Sequence, residues 1–193
     1  MPVESTTRWH LIVGVIGLIY GILGLGAYLI GGLWMAFMPQ FMGLMGFKDL
    51  PPMPSMGIIL LQMLVTGTLG VILIIGSVKL LRRRTDCLRW LQVWAFGRLV
   101  MAAIGLVAGL LMMPTQMAYS KALDAAIRDQ LEARSPGSSA GMPPYDEERQ
   151  ATATRYGILA TNLIVVAFPI FVAFLTTSRT KRDEVASWEQ LIR

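Results

Sequence analysis

Charge is what this sequence has least of. Asp, Glu, Lys and Arg together make up 15% of its 193 residues, against about 25% in ordinary soluble domains. It has one cysteine, Cys87, and one histidine, His10. A secreted disulfide scaffold is therefore excluded. Acidic residues are missing altogether from four long apolar stretches, so no acid–base pair lies within them and no proton-relay carboxylate either. An ordinary proton-coupled carrier and an ordinary soluble enzyme both fall away, and no cofactor or nucleic-acid motif is present.

Apolar residues are abundant instead, at 54%, with a mean hydropathy of +0.57. A chain this short leaves a large share of its surface outside any core, so the bilayer is the solvent that suits it. The apolar stretches run over about 9–37, 56–81, 88–113 and 156–176. Each reaches the roughly 20 residues needed to cross a hydrocarbon core. Chains in lipid must satisfy their own backbone hydrogen bonds, so these are helices. The first is too long for a signal-peptide core and reads as a retained span. The expected fold is an all-α integral membrane protein with four transmembrane helices in an up-down bundle, one domain over 1–193.

Lys and Arg set the orientation. Ten of the seventeen fall at the N-terminus, in the 79–90 connection and in the C-terminal tail; six fall on the other side, and Arg98 is inside a span. Both termini and Arg82-Arg83-Arg84 are expected in the cytoplasm, with the protein in the plasma (inner) membrane. Juxtamembrane arginines also attract anionic lipid, so membrane lipid is an expected partner. Arg8-Trp9 and Arg89-Trp90 open the first and third spans. Pro39 and Pro114 close them, a recurrence that one hairpin used twice, or ordinary interfacial chemistry, would each explain.

Glycine marks the helix contacts. Gly14, Gly17, Gly21, Gly24 and Gly31 keep one face of the first span, and Gly105 and Gly109 form a small-xxx-small pair in the third. Small residues let membrane helices approach closely. This face is expected to serve packing inside the monomer or, alternatively, a partner helix or second copy.

Arg98 stands seven residues past Leu91, about 10 Å into the third span. A basic group there costs roughly 2.5–3.5 kcal/mol. Pro169 in the fourth span frees the carbonyl of Val165, and the expectation is that Arg98 donates to it, joined by Ser77 or Asn162. Gln62 and Asn162 are expected to bond across helices.

Outside the spans, Phe41 and Phe47 suit an interfacial half-turn before Pro51, Pro52 and Pro54. Met38, Met42 and Met45 at helical spacing suit a soft metal in principle, but with no outward His or Cys beside them they read as apolar filling. Residues 116–134 read as an amphipathic helix, and Asp146-Glu147-Glu148 as the acidic start of the next. Together, over about 115–155, they form an outward helical hairpin extending the third and fourth spans. The tail, about 182–193, reads as an amphipathic helix lying on the inner leaflet with Trp188 as anchor.

The layout resembles the tetraspanin plan in topology. The second outer loop carries neither a Cys-Cys-Gly motif nor any cysteine, so membership is not assigned. The function expected is non-enzymatic: a scaffold, accessory or interaction subunit of a membrane assembly. The alternative is a subunit of an oligomeric channel or transporter, with Arg98 near the pathway.

Overall fold

In the computed structural model, the residues described are 8–44, 56–135, 143 and 145–192. Phe47, Pro51, Pro52, Pro54 and the 136–142 loop lie outside them. Six helices follow one another: α1 (Trp9–Leu44), α2 (Met56–Leu81), α3 (Cys87–Leu111), α4 (Met113–Arg134), α5 (Glu147–Thr177) and α6 (Arg179–Ile192). The protein is all-helical among the described residues, and α1, α2, α3 and α5 are each long and apolar enough to cross a membrane.

Two boundaries differ from expectation. Pro39 was expected to end the first span near residue 37, but α1 continues through it to Leu44. Proline removes one backbone donor and crowds the preceding turn, which bends a helix more readily than it stops one where apolar flanks have no water to take up freed backbone groups. At 36 residues α1 is about 54 Å long. In the third span the break falls at Met112, whose N–H still bonds to the Ala108 carbonyl. Pro114 then sits in the first turn of α4, where a missing N–H costs nothing. The Asp146 carboxylate caps α5 by accepting from the Arg149 N–H at 3.0 Å.

The α2–α3 turn is tight and basic. The Arg83 N–H bonds to the Leu80 carbonyl and the Arg84 N–H to the Lys79 carbonyl, which is the paired closure of a Schellman motif. Arg83 occupies the position that favours glycine, with φ at 52°. Arg83→Gly is therefore expected to raise stability by up to about 1 kcal/mol, read as a higher Tm in detergent. Lys79 donates to Asp86 across the same turn and holds that carboxyl below its ordinary value.

The helices pack in the order α1 on α2, α2 on α3 and α3 on α5, with α4 and α6 each against α5. The buried core occupies one half of this assembly: Trp9 and Val13 on α1, Leu69 to Leu80 on α2, Cys87 to Ala95 on α3, Val172 on α5, and Val185 and Trp188 on α6. That half holds both ends of the described chain. On α1, Gly21 is the last buried residue among those described, and the helix continues for more than twenty residues beyond it.

The tail corrects another expectation. Trp188 does not point away as a leaflet anchor; it is 5% exposed. Its ring stacks on Trp9, with centroids 6.3 Å apart, and meets His10 edge-on at 5.6 Å. The Trp9 indole N–H donates to Glu184 at 2.7 Å, and Lys181 sits over the Trp9 ring while bonding to the same carboxylate. The aromatic face that sequence assigned to lipid has found aromatic partners on α1 instead.

Candidate functional site

The packed half of the molecule ends in a layer of aromatic rings. Tyr20 of α1, Trp94 of α3 and Phe168 of α5 form a triangle with centroid distances of 6.0, 5.1 and 5.5 Å. Arg98 follows Trp94 by one helical turn and so lies just above this floor. It is 9% exposed, a deep burial for a charge that has no carboxylate in any span.

Its partner is Tyr28. One Arg98 Nη donates to the Tyr28 hydroxyl at 3.0 Å, and the guanidinium carbon stands 5.7 Å from the centre of that ring. Tyr28 was not among the residues singled out in the sequence. The signal was present: it lies on the α1 face between Gly24 and Gly31, one helical turn past Gly24.

The expected partners are elsewhere. Asn162 donates to the Ile158 carbonyl of its own helix at 2.8 Å. That satisfies it locally, so the expected bond to Gln62 is not made. Gln62 is exposed on α2 with its amide near Gly105. Ser77 is fully buried against Gly17, and its hydroxyl has no hydrogen-bond partner. Pro169 is buried on α5 beside Val172 and Thr176, and the Val165 carbonyl it frees is not an acceptor for Arg98. The predicted cluster of Arg98, Gln62, Asn162, Ser77 and Pro169 is thus replaced by Arg98 with Tyr28. The physical reason is reach: the flexible arginine stem carries its charge across to α1, where a hydroxyl accepts without giving up a helix bond.

Two spaces adjoin the pair. A small recess of about 20 Å³ is bounded by Gly21, Gly24, Tyr28, Thr66, Gly70 and Arg98 among others. That is enough for one water-sized group. A lateral groove of about 480 Å³ runs beside it, walled by Ile16, Ile19, Tyr20, Leu23 and Gly24, with Arg98 as its charged member. Arg98 is therefore held by Tyr28 and also lines an apolar seam at the side. Compared with protein-family models, curated proteins and solved structures, the chain finds no match.

The glycine stripe divides at this level. A Cβ on Gly14 would stand 2.7 Å from Leu81, and one on Gly21 2.8 Å from Ile74. Gly17 meets Ser77 in the same way, so these three are committed to the α1–α2 contact inside the monomer. They are not free to meet a partner. Gly24 and Gly31 have open space within 4 Å, as has Gly26 between them. On α3, Gly105 faces Gln62 loosely, and Gly109 packs on Ile158 of α5.

Removing the acceptor and removing the charge should differ. Tyr28→Phe leaves a buried guanidinium without its hydrogen bond and is expected to cost about 1–3 kcal/mol. Arg98→Leu takes away the charge as well and is expected to cost less, or to stabilise. Denaturant titration of both variants in the same detergent reads the order directly.

Other functional groups were missed by sequence. The Thr176 carbonyl near the end of α5 accepts from the Gln92 amide at 3.2 Å and from Arg182 Nε at 3.0 Å. It is one of the orphan carbonyls that every helix end exposes. On the basic turn, Lys79, Arg82 and Arg84 line a groove of about 410 Å³ with Ile74, Ile75 and Val78. Between α4 and α5 a cavity of about 810 Å³ has an apolar base at Leu110, Met113 and Met117 and a charged rim at Lys121, Glu148 and Arg155.

Proposed function

We propose that this chain is a non-enzymatic four-pass subunit that holds another membrane component against the open half of α1. In this reading the four long helices form an up-down bundle in the plasma (inner) membrane. Both termini are cytoplasmic, and α4 with the start of α5 projects outward as a hairpin. The observation that carries the reading is the divided glycine stripe. The glycines of the packed half are filled by α2, and a Cβ on Gly24 or Gly31, on the same face, would meet nothing within 4 Å among the described residues. Glycine positions that admit a close approach and are not filled by the described residues suit a second helix.

The exposed Leu23, Ile30 and Trp34 flank those glycines. The Lys121–Glu147 ion pair and the Tyr145 hydroxyl on the Met117 carbonyl brace the outward hairpin for a contact of its own. Membrane lipid is the other proposed partner, at the basic groove of the α2–α3 turn, where Arg82 and Arg84 sit over an apolar wall beside the Lys79–Asp86 pair.

The test is purification in mild detergent. Gly24→Leu and Gly31→Leu should lose a companion protein, or a second copy, that the unaltered chain retains, with Tm unchanged. A companion retained by both variants overturns the proposal. The alternative, a subunit of a channel or transporter, predicts flux in liposomes that Arg98→Leu abolishes. Tags on both ends, accessible only after membrane permeabilisation, check the orientation.

A further inference from the structure

We propose that the seam beside Arg98 seats a transmembrane helix of another protein carrying one aspartate or glutamate at the depth of Arg98. The inference rests on the reading above and adds the chemistry of the partner. Arg98 has a fixed positive charge and a single neutral acceptor, the Tyr28 hydroxyl. That bond leaves the Tyr28 proton and the other guanidinium N–H groups without an acceptor among the described residues. The site is made of donors, so what completes it is an acceptor, and a carboxylate supplies both acceptor oxygens and the missing negative charge. None of the four spans contains one.

Depth decides between a lipid and a helix. Arg98 lies eleven residues past Cys87, roughly 16 Å along α3. That is near the middle of a hydrocarbon core about 30 Å thick, away from either layer of phosphates. A phospholipid reaches Arg98 with its acyl chains, which accept nothing. A helix can place a side chain at any level. The groove wall suits it too: Ile16, Ile19 and Leu23 present an apolar flank, and Gly24, next to Arg98, has no neighbour within 4 Å. A partner backbone can come close enough there for a short acidic side chain to reach the guanidinium.

The experiment uses the full chain in phosphatidylcholine vesicles at pH 8. Leucine-rich 23-residue helices serve as probes, identical except for a central Glu or Gln, and binding is read by fluorescence transfer. The Glu helix should bind at least tenfold more tightly than the Gln helix. Arg98→Leu should erase that preference, and Arg98→Lys, which keeps the charge, should retain part of it. Equal binding of the two helices, binding of neither, or a preference that survives Arg98→Leu overturns the inference. So does loss of the preference when phosphatidylglycerol is added, which would make the occupant a lipid. The companion test with Gly24→Leu is separate. If a native companion depends on Gly24 but Glu and Gln helices bind alike, only the acid pairing fails. If the Glu helix is preferred and no companion depends on Gly24, the wider functional reading fails and the acid-selective seam stands.

Discussion

Gly21→Leu is expected to cost about 3 kcal/mol, or roughly 10 °C in Tm, and the same change at Gly24 almost nothing. At Gly21 a Cβ alone would stand 2.8 Å from Ile74 Cγ1 and 3.5 Å from the Gly70 carbonyl. Ile74 Cγ1 is close to its own backbone and cannot swing aside as the tip of a long side chain can. The facing Gly70 carbonyl cannot move without moving α2. A leucine would therefore have to push the two helices apart, and Gly17 and Gly14 would lose the same close contact. Since α2 makes the closest backbone approach to α1, the variant should lose the α1–α2 pair first. Thermal unfolding in detergent, with a fluorophore pair across α1 and α2, separates this from a general loss of stability. An unchanged Tm in Gly21→Leu would mean that the helices do not meet at these glycines.

The second large effect belongs to the tail. Trp188→Ala should release α6 from α1, at a cost of about 3–5 kcal/mol of packing. Trp188 is held by the Trp9 ring, by His10 and by its place next to buried Val185. Once the ring is gone, the Trp9–Glu184 bond loses the surface that orients it. Hydrogen exchange over residues 179–188 should accelerate by at least about a hundredfold, while α2 and α3 keep their protection. If α6 stays as protected as before, the tail is held by the polar contacts to Glu184 and Thr176 and not by the stacked rings.

Much of the fold was legible because hydrocarbon imposes few choices. The ends of α2 fall at the residues expected for it, Met56 and Leu81, since an apolar run between a proline-rich loop and three arginines has one reading. The start of α5 was equally plain, with Asp146 as cap and two acids behind it. The end of α1 was not. Pro39 carries a strong local signal to stop, and the continuous apolar sequence on both sides overrode it. The tail was misplaced for a related reason: a pattern of Val185 and Trp188 on one face says that the face is apolar and does not say whether lipid or protein covers it.

The candidate site was legible in part. Arg98 stood out as the one charge deep in a span, and its inward direction followed from Ala102, Gly105 and Gly109 on its face. Its partner did not follow, because proximity of Arg98 to a residue 70 positions away depends on how α1 and α3 lean together. The freed carbonyl at Val165 was an attractive acceptor in the sequence, but it competes with a hydroxyl that reaches the guanidinium from the neighbouring helix. In the same way, the glycine stripe showed that α1 is built for close approach. Only the neighbours of each glycine reveal that one half is already occupied.

The contact between Trp9 and Glu184 joins residues 175 positions apart. At about 5–20 residues per second, a ribosome needs roughly 10–35 s to supply the second after the first. Through that interval the Trp9 ring lacks the cover that Trp188 gives it, and α6 can arrive only after the helices that precede it have been made. Fastening α6 is therefore a late event of biogenesis, and a chain that stalls before it is left with an unguarded indole on α1.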